Sequence, residues 1–313
     1  MAATPRYASA VRLETCVNQS SQEFGWPHDR LGELLRDYAA AELARAISYL
    51  GWRGGRLHTG VHQARKSIRR TRATLAFGIR RLGPGAALLD RELRTLNQGL
   101  SRLRDAHAVV GTLDSLIASG SEDAVPTLRR ARRKAATARA ERARLELVRD
   151  AQLGDRRALL RALLAALPAL RWEALSQADI YAALQSSQDA LTAAEIVVHS
   201  AQDQDAWHRW RRRARRLSQQ HRALGDKNAE LAAHEKRSKR FAVLLGEAQD
   251  YSLLDASCGK RWPMASADRR QVRAICAREL ARVRERVAKW LATDSTNKGD
   301  PAVTPAAALA GSA

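Results

Sequence analysis

Cysteine, aromatic residues, glycine, proline and carboxylates are all scarce in this sequence, and each shortage excludes something. The three cysteines, Cys16, Cys258 and Cys276, are too few and too scattered for a disulfide framework or a zinc site. A reducing, cytoplasmic compartment is the expectation. No apolar run approaches the roughly 20 residues that span a bilayer. The first thirty residues also lack the basic start and apolar stretch of a signal peptide, so a soluble protein is expected. With 18 Gly, 8 Pro and no alternating apolar-polar run, a β architecture has nothing to build on. Aromatics are 5% of the chain, a poor supply for stacking the bases of a single strand. Phosphoryl transfer wants a Gly-rich phosphate loop and a metal-binding carboxylate, and the basic segments carry neither. Zinc-finger, helix-turn-helix and RNA-binding strand motifs are missing too. No catalytic residue, metal ligand or cofactor is expected.

What the chain has is Ala, Leu, Arg and Glu, all strong helix formers. Hydrophobic residues make up 45% of 313, enough to bury a sizeable core, and the composition predicts an all-α protein. Segments 1–28 and 294–313 read as an irregular extension and a disordered Ala/Pro/Gly/Ser tail. Between them, breakers and caps predict helices at about 29–50, 55–82, 86–104 with a continuation toward 118, and 126–151. A short helix near 155–167 follows. The pattern then starts again at about 177–200, 203–224, 228–246 with an extension, and 266–292. These are two sets of four main helices, 29–151 and 177–293, offset by about 145 residues, as an internal duplication would give. Each set has the size of a four-helix bundle.

Carboxylates number 33 against 54 Lys and Arg, a net charge of +21 with pI near 11.1. Such a surplus repels itself in the folded state, and a polyanion would relieve it. The charge is also arranged. Residues 62–72 read HQARKSIRRTR and residues 208–218 read HRWRRRARRLS. Both fit His-x-x-Arg-[Lys/Arg]-x-x-Arg-Arg. An α-helix turns about 100° per residue, so Arg65, Lys66, Arg69 and Arg80 fall within about 60° of His62, with Arg72 at the edge. Val61, Ala64, Ile68, Leu75, Ile79 and Leu82 fall opposite. On the second copy Arg211, Arg212, Arg215 and Arg222 cluster about His208, while Trp207, Trp210, Ala214 and Leu217 fall opposite. Each helix is predicted to set an apolar stripe on the core and a histidine-led cationic stripe facing away from it.

Like charges at i, i+3 and i+4 destabilise a helix by a few tenths of a kcal/mol per pair. A penalty repeated twice in one phase points to a ligand, and Arg forks suit phosphate oxygens. Neighbouring cations lower a histidine pKa, so His62 and His208 are expected to be neutral until an anion arrives. Asp105 and Asp250 lie at matching distances beyond the two histidines and read as helix caps or arginine partners. Arg91 and Arg94 align with Lys236 and Lys239, four residues that would extend the basic surface.

The VHQARKSIRRTR and WHRWRRRARR segments, each followed by an LxxxxD element at similar distance, resemble the CHAD domain, the conserved histidine α-helical domain. The resemblance spans about 29–293. It implies two four-helix bundles related by pseudo-twofold symmetry, with basic helices lining a central groove or pore. It implies binding of inorganic polyphosphate, and several such domains are found on polyphosphate granules. Carried across by position, His62, Arg65, Lys66, Arg69, Arg70 and Arg72 match the first motif, and His208, Arg211, Arg212, Arg215 and Arg216 the second. Leu217-Ser218 stand where the first copy has Thr71-Arg72, so the second ladder is shorter. Many relatives carry a fused triphosphate-tunnel domain marked by Glu-x-Glu-x-Lys. This sequence has no such element, which argues for binding without chemistry. RNA or DNA is the alternative polyanion.

Overall fold

The computed structural model describes residues 30–297, apart from 121, 202, 226–228 and 261. The expected N-terminal extension, Cys16 and the tail beyond Asn297 lie outside the described residues. Within them the regular structure is helical: α1 (Leu31–Leu50), α2 (Leu57–Leu75), α3 (Pro84–Gly99), α4 (Ser101–Ser119), α5 (Val125–Arg149), α6 (Gly154–Ala166), α7 (Gln177–Ala201), α8 (Gln204–Leu224), α9 (Ala229–Ser257) and α10 (Ser266–Asn297). Short 3-10 turns join several of them, and no strand occurs among the described residues.

Local chemistry sets most of the ends. Pro84 opens α3 behind Gly83, whose φ of 89° suits a residue without a side chain. Ser176 and Asp179 cap α7 reciprocally: Ser176 N donates to Asp179 Oδ2 at 3.1 Å, and Asp179 N donates to Ser176 Oγ at 3.2 Å. Asp203 caps α8 by accepting from Ala206 N. Buried Asp150 accepts from Asp155 N at 2.9 Å and so ties down the start of α6.

Three helices depart from the expected bounds. The second was expected to run to residue 82 but ends at Leu75. Phe77 and Leu82 both enter the core, and a continuous helix could not bury both, so the chain turns between them. Ile79, assigned to the apolar stripe, is consequently 37% exposed. A break at buried Leu100 divides the third expected helix into α3 and α4. The last helix continues past residue 292 to Asn297.

The buried apolar residues form three clusters. One joins α1, α2, α3 and α6 with the Trp172 turn, through Leu35, Leu43, Ile68, Leu93, Leu160 and Trp172. Another joins α7 to α10 around Trp210, Phe241, Leu245 and Val283. A third joins the end of α4 and the start of α5 to the end of α9 and the start of α10 through Leu113, Leu128, Leu254 and Val272. Polar contacts reinforce that seam: Thr127 Oγ1 donates to Gln271 Oε1 at 2.7 Å, and Arg130 grips Asp268. Three pairings bridge the early and late helices: α2 on α8, α4 on α9 and α5 on α10.

The seating of α2 is tight. A Cβ at Gly60 would overlap the Tyr49 carbonyl, so only glycine lets the start of α2 approach the end of α1 this closely. Val61, Ala64, Ile68 and Thr71 are buried along the same stripe. That fixes which way the histidine-led stripe of α2 points.

Candidate functional site

The two cationic stripes face each other. α2 packs on α8, and the arginines of the two ladders lie close enough for their charges to act on one another. Arg65 and Arg69 from α2 meet Arg211 and Arg215 from α8, and Arg104 from α4 joins them. Arg211 is 8% exposed. The sequence predicted stripes facing away from each helix's core. The structure adds that Arg69, Arg211 and Arg215 are buried near one another rather than standing in open solvent.

Electrostatics follows from that placement. Burial, and then the charges of Arg215, Arg65, Arg104 and Arg211, hold the Arg69 guanidinium well below its ordinary pKa. Burial, then Arg211, Arg104, Arg65 and Arg212, lower Arg215 to about 9. Arg211 falls to about 10 through burial and then Arg104, against the pull of Asp250 and Asp105. Arg65 also falls to about 10, mainly through burial. An arginine guanidinium stays protonated at neutral pH, so the free protein holds their mutual repulsion in place. Part of the hydrogen-bonding capacity of Arg65, Arg69 and Arg211 is also unspent. Arg65 Nε and Nη1, Arg69 Nε and Arg211 Nε are shut off from solvent with no partner among the described residues. Buried donors are normally satisfied, so each such N–H marks a place where an acceptor is wanted.

Two carboxylates border the cluster. Arg104 pairs with Asp105 at 3.0 Å and with Asp250 at 3.2 Å. The second contact bridges α4 and α9 and realises the arginine pairing read from the sequence. Burial pushes the Asp250 carboxyl up, against the pull of Arg104 and Arg211.

The remaining residues divide. His62 stands beside Lys66, Arg69, Arg104 and His107; burial first and these charges next lower its pKa to about 4. His208 is half-buried, its Nδ1 2.7 Å from Gln249 Oε1. Lys66 lies toward Arg70, Arg69, Arg222 and Lys239, so Lys239 belongs to the same charged surface. Arg212 and Arg216 are exposed, and Arg216 lies near Asp90 and Arg72. Arg70 and Arg72 are not brought to the cluster. Arg70 donates to fully buried Glu42 at 3.1 and 3.3 Å. Arg72 holds Asp90 in a fork, Nε to Oδ1 at 2.8 Å and Nη2 to Oδ2 at 3.0 Å. Arg222 pairs with Glu235 at 3.2 Å. Arg80 lies beyond the end of α2 and is exposed. Arg91, paired with Glu92, is exposed, as are Arg94 and Lys236.

Arg104 is the central residue that the ladder pattern misses. It belongs to neither repeat of the motif, and only packing of α4 beside α2 delivers it. Its one signal in the sequence is its place directly before Asp105 in LSRLRDAHAVV. The aromatics contribute nothing here: Trp210 is 1% exposed and packs on Trp207 and Phe241, while Arg284 lies 5.1 Å over the Trp207 ring. The arrangement suits a ligand whose oxygens are anionic and closely spaced.

Among known proteins, the family model of the CHAD domain matches residues 37–258. The solved structure of PptA from Streptomyces chartreusis is similar at a TM-score of 0.59 and 20% identity, covering 83% of this chain and 98% of that one. At that identity the likeness speaks for the fold. No curated protein matches. No described helix is long and apolar enough to cross a membrane.

Proposed function

The chain belongs to the CHAD domain family, and from that premise we propose that it binds inorganic polyphosphate, without chemistry on it, between α2 and α8. The observation that carries this reading is the convergence of Arg65, Arg69, Arg104, Arg211 and Arg215, with buried N–H groups of Arg65, Arg69 and Arg211 that have no acceptor among the described residues. A phosphate chain would supply an anionic oxygen to each and remove the mutual repulsion. Affinity would come from these contacts and from release of counterions. A nucleic acid offers the same phosphates with bulky sugars between them and bases that want stacking partners. The aromatics near α8 are packed into the core instead.

The reading includes an architecture: two repeat-related halves, about 29–151 and 177–293, around a central basic groove. The pairings α2 on α8, α4 on α9 and α5 on α10 support it, because each joins helices that correspond under the offset of about 145 residues. His62, Arg65, Lys66, Arg69, His208, Arg211, Arg212, Arg215 and Arg104 are the proposed contacts, with Arg216 and Lys239 at the margins. Arg70 and Arg72 serve the groove by fixing α2 against α1 and α3. Association with polyphosphate granules would follow from such binding.

The test is a competition assay at fixed salt and equal phosphate, with long-chain polyphosphate, single-stranded RNA and duplex DNA. Polyphosphate is expected to displace both nucleic acids. Equal or stronger binding of RNA would assign the groove to nucleic acid. Release of orthophosphate by the wild type, abolished by substituting Asp105 or Asp250, would make the protein an enzyme.

A further inference from the structure

Beyond the arginine cluster, α2 and α4 carry a second group of unsatisfied basic side chains. His58 lies one turn before His62 on α2, and His107 lies one turn after Arg104 on α4. The two rings are nearly parallel, 14° apart with centroids 5.8 Å apart. Both Nδ1 atoms are buried without a hydrogen-bond partner among the described residues. Arg139 of α5 lies near both rings and, after burial, its charge is the strongest influence on each. Arg132 and Arg144 on the same helix are paired with Asp114 and Glu141, whereas among the described residues no ion pair holds Arg139. The group is continuous with the central site, since His107 also acts on His62. One helical turn, a rise of about 6 Å, separates it from His62.

The corresponding place in the second half carries no histidine. Under the offset of about 145 residues, Gln204, Gln249, Ser252 and Arg284 stand for His58, Arg104, His107 and Arg139. They do lie together, lining one small crevice with Trp207 and Leu245. Two of these four are engaged with neighbours, and Arg284 is turned onto a ring with its Nε buried and without an acceptor among the described residues. Gln249 holds His208, Ser252 Oγ donates to the Ala248 carbonyl at 3.0 Å, and the Arg284 guanidinium lies over the Trp207 ring. A metal is a poor fit to the histidine pair, because no group of three suitable ligands gathers among the described residues.

We propose that the phosphate track leaves the central arginines on one side only, through an arm formed by His58, His107 and Arg139 that binds a further phosphoryl group of the same chain. The proposal rests on the polyphosphate reading and gives that site a direction. A short oligophosphate would fill the central cluster alone, whereas a long chain would also engage the arm.

The test compares tripolyphosphate with long-chain polyphosphate on three proteins: wild type, Arg139→Ala and Arg284→Ala. Arg139→Ala is expected to weaken the long chain by about tenfold, the value of one charged hydrogen bond, and to leave tripolyphosphate unchanged. Arg284→Ala should change neither. A second measurement uses the intact wild type: ring nitrogen NMR shifts of His58 and His107 should move with long-chain polyphosphate and stay in place with tripolyphosphate. Long-chain binding with an unaltered Arg139→Ala affinity and unmoved ring signals would overturn the arm while sparing the central site. Equal weakening of both ligands would also overturn it, since Arg139 would then act only through its general field. Failure of the wild type to bind either phosphate would overturn both readings together.

Discussion

Replacing Arg69 with Met should make the free protein more stable and the bound protein weaker. Arg69 is confronted by Arg215, Arg65, Arg104 and Arg211, and its Nε is buried without an acceptor. Burial of a cation among cations opposes folding, and exchanging buried ionic groups for apolar ones of similar volume often stabilises by about 1–4 kcal/mol. Taking about 2 kcal/mol, and about 2–4 °C per kcal/mol for a domain of 150–250 residues, the expected rise in Tm is about 4–8 °C. Met keeps an unbranched stem of similar length, so no large cavity opens. The same change removes a charged hydrogen bond to phosphate worth about 1.5–3 kcal/mol, which lowers affinity by roughly 10- to 150-fold. Calorimetric melting without ligand and titration with polyphosphate at fixed salt measure the two halves of the claim. The exposed Arg102→Met is the control and should shift stability by less than about 0.5 kcal/mol. A fall in Tm for Arg69→Met would show that the guanidinium serves the fold. A rise in Tm with undiminished affinity would show that the cluster does not touch the ligand. Either result refutes the account of these arginines as a binding surface held at the expense of stability.

The ladder pattern carried the fold a long way because helical phase is a local property. Val61, Ala64 and Ile68, and Trp210, Ala214 and Leu217, are buried as the 100° periodicity requires. What phase cannot contain is the partner across the gap. The same arithmetic that put Arg69 and Arg215 away from their own cores was silent on whether they met water or each other. Arg70 shows a second limit. It fits the motif as well as Arg69 does, yet Glu42 is one turn beyond Tyr38 on the neighbouring α1 and claims its guanidinium. Nothing in residues 62–72 announces that carboxylate. Arg104, His58, His107 and Arg139 were missed for the converse reason. They lie on three helices that only tertiary packing brings together, and none stands in a repeated pattern. Leu75 shows the limit of periodicity itself: the apolar spacing continued to Leu82, but burial of Phe77 ended the helix first.

Three further outcomes follow from particular contacts. Arg70→Met should cut stability by about 3 kcal/mol, since it leaves the fully buried Glu42 carboxylate with the half-exposed Arg45 alone; polyphosphate affinity should stay within about twofold, and a melting curve paired with a binding isotherm separates the two. Asp250→Asn should tighten polyphosphate severalfold, because Arg104 loses a competing acceptor at 3.2 Å; unchanged or weaker binding in a titration would show that the carboxylate positions the site instead. The last outcome is the pH dependence. Burial lowers His62 from 6.5 to about 4, with Lys66, Arg69, Arg104 and His107 adding to it. In the unfolded chain the same ring takes a proton at about 6.5. Its contribution to stability is therefore fully present above that pH and is lost as pH falls through about 4. An anion on the neighbouring arginines reverses the field at the ring and raises its pKa in the complex. Binding then takes up a proton wherever the ring is charged in the complex and neutral without it. Affinity should accordingly strengthen as pH falls from about 8 to 6 and continue to do so toward about 4, with a limit of tenfold per pH unit for one proton. The internal phosphates are strong acids and keep their charge throughout. His62→Gln should retain the fold and flatten this slope. A variant whose slope matches the wild type would leave His62 a structural residue and require another group to take up the proton.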